Sequence, residues 1–82
     1  MTGVIKGYHQ DASYVPVKVK AGDGRTYNVD IGGDLREHFA SKGQRMTEKR
    51  VDQFCKSIIG AEVELTSYGP HGLSMNTDKL LT

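Results

Sequence analysis

The chain has 82 residues, 11 lysines and arginines against 10 acids, ten glycines, one cysteine and no tryptophan. That length holds one domain with a small core and no cleft walled by two lobes, and a net charge of +1 excludes a global basic field that would draw the protein onto nucleic acid or membrane. No run nears the roughly 20 apolar residues of a membrane helix, and the lone Cys55 excludes a disulfide framework and a Cys-rich zinc site.

Val4 and Ile5 predict a first strand over Gly3 to Tyr8, with Gly3 and Gly7 marking a bend or bulge. His9 to Ser13 is polar and predicts a loop. Tyr14 to Ala21 is the clearest strand, because Val15, Val17 and Val19 alternate with Pro16, Lys18 and Lys20. Pro16 cannot donate to a ladder, which predicts an edge or a bulge there. Gly22-Asp23-Gly24 is a hairpin turn, since Asp-Gly supplies positive φ angles. The partner strand runs from Arg25 to Ile31, with Tyr27, Val29 and Ile31 on one face. Gly32-Gly33 breaks it. Asp34 then caps a short helix, Glu37 reaches back to it, Leu35 and Phe39 form its apolar stripe, and Gly43 ends it.

A second helix starts at the N-cap Thr47. Val51, Phe54, Cys55, Ile58 and Ile59 fall on one face of it, and Gly60 is its stop. Glu62 to Tyr68 returns to strand periodicity with Val63 and Leu65 inward. Gly69-Pro70-His71-Gly72 is a turn, and Leu73 to Asn76 is a short last strand before a tail. The N-terminus has no apolar segment of the secretory kind, so the expected compartment is the cytoplasm, with Cys55 a free thiol.

Five strands with helix between the third and fourth predict one mainly β domain over residues 1–82. The expected architecture is a small OB-like Greek-key barrel, in which the helix bearing Val51, Phe54, Cys55 and Ile58 plugs one end. An SH3-like barrel or an open α+β sheet ranks second. Several short motifs point the same way: Val4-Ile5-Lys6-Gly7-Tyr8, Gly22-Asp23-Gly24-Arg25, Ile31-Gly32-Gly33-Asp34-Leu35 and Ile59-Gly60-Ala61-Glu62-Val63-Glu64-Leu65. In these the chain resembles the C-terminal OB domain of ATP-dependent DNA ligases. The tail Asn76-Thr77-Asp78-Lys79 is similar to that family's terminal Arg-x-Asp-Lys element, with Asn76 in place of the arginine. No Lys-x-Asp-Gly nucleotidyltransfer motif occurs, so the resemblance implies nucleic-acid binding by the barrel surface and not ligation.

The outward face of the second and third strands carries Tyr14, Lys18, Lys20 and Arg25. Lysines can track phosphates there and an aromatic ring can stack a base; the competing reading is that the lysines protect a strand from aggregation. A second basic group, Lys42, Arg45, Lys49, Arg50 and Lys56, runs into the second helix. Of these, Lys49 and Lys56 are candidate phosphate contacts, against the reading of a solvated helix side. His9, His38 and His71 lack metal-ligand spacing. Cys55 lies on an apolar helix face, which suits a buried small hydrophobe rather than a nucleophile. Gly32-Gly33 lacks the spacing of a phosphate loop, and Glu62 and Glu64 have no cleft in which to act as a catalytic pair. No cofactor and no metal is expected, and nothing pairs a nucleophile with a base, so the chain is not expected to be an enzyme. The expected function is a stand-alone OB-type module binding single- or double-stranded nucleic acid weakly. The alternative is a protein-binding module, such as a phage or mobile-element inhibitor or adaptor, that recognises a larger partner by its surface or a strand edge.

Overall fold

A computed structural model describes residues 1–11, 14–67, 73–77 and 80–81. The expected turn at Gly69-Pro70-His71-Gly72, the end of the fourth strand at Tyr68, and Asp78-Lys79 of the tail lie outside the described residues. The elements are β1 (Thr2–Tyr8), β2 (Pro16–Ala21), β3 (Thr26–Asp30), α1 (Gly32–Ser41), α2 (Glu48–Ile58), β4 (Glu62–Ser67) and β5 (Leu73–Met75). The strands form one five-stranded sheet in the order β3-β2-β1-β4-β5, and every neighbouring pair is antiparallel. The sheet curls into a half-barrel, bringing its outer strands β3 and β5 together.

Alternation on β2 sets the inside and outside of this sheet. Val17, Val19 and Ala21 are buried, whereas Lys18 and Lys20 are exposed. Ile5 on β1, Val29 on β3, and Val63 and Leu65 on β4 join the same inner face, and Leu35, Phe39, Val51, Cys55 and Ile58 of the helices pack onto it in one core. Each fully buried valine or isoleucine contributes about 1.5–3 kcal/mol relative to exposure.

Where the expected elements shift, the reason is local. β1 carries a register shift between Ile5 and Gly7, which is the bulge its glycines predict. β2 begins at Pro16 rather than Tyr14; Tyr14 instead pairs with Asp11 in an isolated bridge. Pro16 is at neither an edge nor a bulge. It is the first residue of an interior strand, a place where a missing N–H is tolerated, and its carbonyl accepts from the His9 N–H at 2.9 Å. The hairpin after β2 closes as expected, with Gly24 at φ 84° and its N–H bonded to the Ala21 carbonyl at 3.0 Å.

Asp34 does not cap α1. The helix starts at Gly32, three residues before the expected first helical residue Leu35, and no side chain caps its N-cap residue Ile31. The Asp30 carboxylate Oδ1 accepts from both the Gly32 and the Val15 N–H at 2.9 Å. It thereby turns the chain from β3 into α1, and Gly32-Gly33 becomes the first helical turn instead of a break. Asp34 accepts instead from the Thr77 hydroxyl at 3.2 Å. α2 is as expected at its start, where the Thr47 hydroxyl accepts from the Arg50 N–H at 3.2 Å. At its other end Ile59 leaves the stripe: it is the C-cap, with extended backbone, and is 47% exposed. Phe54 is only half-buried.

Candidate nucleic-acid interface

Lys18 and Lys20 leave β2 on the face turned away from the core. Across the ladder Lys18 stands opposite Asn28 of β3 and Gly7 of β1, and Lys20 opposite Thr26 and Val4. These neighbours are uncharged. The two lysines, exposed and two residues apart, therefore lie about 6.8 Å apart along one strand. Tyr14 precedes β2 at one end and is 63% exposed. Arg25 follows it at the other end, beyond the hairpin turn, and is also exposed. Tyr14 and the two lysines thus follow one another along β2, whereas Arg25 stands opposite Ala21, a core-face position, and falls on the other face of the ladder.

The hairpin end is fixed by Asp23. Its carboxylate accepts from the Arg25 N–H at 2.8 Å and from the Tyr27 hydroxyl at 2.7 Å. The Tyr27 hydroxyl, with the Arg25 amide next, holds the Asp23 carboxyl below its ordinary range, and Asp23 in turn raises the Tyr27 phenol. The contact keeps Asp23 ionised beside Arg25, which weakens the positive field at that end.

Lys49 and Lys56 do not join this row. α2 packs Val51, Cys55 and Ile58 against the inner side of the sheet, whereas Lys18 and Lys20 point outward. The sheet and the core stand between the two basic groups, so no single groove uses both. Lys56 also pairs with Asp52 one turn earlier at 3.0 Å. Arg50 is half-buried and donates to the Arg45 carbonyl at 2.7 Å. Lys42, Arg45 and Lys49 are exposed.

Asp52 also accepts a hydrogen bond from the Tyr8 hydroxyl, tying β1 to α2. This bond, with burial and the Asp52 charge behind it, pushes the Tyr8 phenol up to about 12. The Tyr8 hydroxyl first, and Lys56 second, hold the Asp52 carboxyl below its ordinary range. Cys55 is fully buried, and that burial, with a smaller push from Asp52, raises its thiol to about 11. A thiol in that state is protonated near neutral pH and is a poor nucleophile. His9 is exposed, and His38 packs its ring near Phe39 and Phe54 at 5.6 and 6.4 Å; His71 lies outside the described residues. Among the described residues no three histidines, cysteines or acids come together as a metal site.

Lys6 was absent from the expected set and borders the same surface. It is exposed at the β1 bulge and shares a shallow groove with Lys20. Its signal was present in the sequence, since Val4 and Lys6 alternate with the buried Ile5. Glu62 and Glu64 are exposed on β4, on the far side of β1 from the lysines. Among the described residues no helix is long and apolar enough to cross a membrane. The chain matches no family model, no curated protein and no solved structure.

Proposed function

We propose that this chain is an OB-type Greek-key barrel that binds nucleic acid weakly through the outer face of β2 and β3. The strand order supports the barrel: β3-β2-β1-β4-β5, with β3 beside β5, is the order a five-stranded Greek key adopts when it closes, and both helices fall between β3 and β4. The observation that carries the function is the exposed pair Lys18 and Lys20 on β2, flanked by uncharged cross-strand neighbours, with Tyr14 exposed ahead of the strand and Arg25 exposed past its hairpin. Lysines engage phosphates and Tyr14 offers a stacking platform worth about 1–3 kcal/mol per base. The action is binding, with no bond made or broken.

The test is fluorescence anisotropy with labelled single- and double-stranded oligonucleotides at two salt concentrations. Three phosphate contacts, by Lys18, Lys20 and Arg25, give a slope of log affinity on log salt of about −2 to −3, and Lys18→Glu or Lys20→Glu lowers affinity. Absence of binding even at low salt overturns the reading. Strand-edge recognition of a protein partner would then take its place, because β3 and β5 end the hydrogen-bonded order of the sheet and an added strand needs such an end.

A further inference from the structure

The groove beside the basic row has walls of opposite charge. Lys20 stands opposite Val4, and Val4 opposite Glu62, so the three form one row across β2, β1 and β4. Adjacent strands are about 4.8 Å apart, which sets the Lys20 and Glu62 backbones about 10 Å apart. Lys6 and Thr2 complete a groove of about 240 Å³, floored by the half-buried Val4. Neither Lys6, Lys20 nor Glu62 is in an ion pair among the described residues. One wall therefore offers cations, the other a carboxylate, and the floor an apolar side chain.

We propose that this groove is a base subsite for single-stranded nucleic acid that favours bases with an exocyclic amino group, cytosine over thymine. The inference rests on the nucleic-acid reading above. A phosphate held by Lys20 and Lys6 lets the attached base lie over Val4 with its far edge at Glu62. Cytosine presents an N4 amino donor at that edge, which the carboxylate accepts, whereas thymine presents the O4 acceptor, which it repels. In a duplex the base is stacked between its neighbours and cannot lie over Val4, so only an unpaired strand fills the subsite.

Anisotropy titrations of oligo-dC and oligo-dT of equal length, at low salt, test this in the parent protein and in Glu62→Gln. The expected result is about fivefold tighter binding of oligo-dC by the parent. In Glu62→Gln the ratio falls to near one, chiefly because oligo-dT gains, since an amide both accepts from N4 and donates to O4. Glu62 is exposed, so the thermal midpoint of the variant should match the parent and a misfolded sample is recognised. Equal affinities in the parent, or a preference that survives Glu62→Gln, overturn the subsite while leaving binding by the lysine row in place. Failure of both oligonucleotides to bind overturns the subsite together with the reading beneath it.

Discussion

A methyl group on Gly3 would lie 2.6 Å from Val19 Cγ1 and 3.1 Å from the Lys20 carbonyl oxygen. Gly3→Ala therefore overpacks the β1–β2 contact and should cost about 1–3 kcal/mol, read as a lower urea midpoint. Sequence alone marks Gly3 as a weak point of a strand, because the clash partner is 16 positions away and visible only once β1 meets β2. Asp30 has a similar history. It is exposed at the end of β3, yet its carboxylate satisfies two amides. Asp30→Ala should cost about 1–3 kcal/mol, and Asp30→Asn less, since its amide oxygen still accepts. The Tyr8–Asp52 bond gives stability a pH signature at both ends. Asp52 has a lowered pKa, so its contribution is present above the ordinary carboxylate value of 3.8 and is lost as pH falls through the lowered one. Tyr8 is raised from 10.0 to about 12, so its contribution is full below pH 10 and is lost as pH rises through about 12. Thermal midpoints of Tyr8→Phe against pH should show a shallower fall than the parent at both extremes.

At the scale of elements, the readable ones are those whose periodicity and caps lie within their own span. β2 shows its two faces through Val17, Lys18, Val19 and Lys20, and α2 through Val51, Cys55 and Ile58 with Thr47 ahead of them. Thr47→Ala removes the acceptor for the Arg50 N–H and should lower stability by about 1 kcal/mol, measured by chemical denaturation. Less readable are the ends that another segment determines. Tyr14 continues the alternation of β2, but the chain there pairs back on Asp11, so the ring sits beyond the strand. α1 gains its first turn because Asp30 holds the Gly32 amide, a bond formed while the same oxygen holds Val15 across the sheet. No spacing rule written along one segment carries that information.

For the whole molecule, net charge proves a poor guide to local field. A balance of +1 hides two lysines on one side of the sheet, a second basic group on α2 across the core, and acids on β4 that share the lysines' face across β1. If the β2 face is the interface, Lys49→Gln should leave oligonucleotide affinity unchanged while Lys18→Glu lowers it, a contrast that anisotropy resolves directly. Composition could not separate these groups because their placement depends on which strands pair. The central position of β1, bonded to β2 on one side and to β4 on the other, also has a consequence in time. β1 and β2 leave the ribosome close together, whereas β4 follows only after the thirty residues 32–61 have been made. At about 5–20 residues per second that interval lasts roughly 2–6 s. Throughout it the second flank of β1 has peptide groups and no strand to bond them, so a nascent chain halted before Glu62 carries an open, adhesive edge.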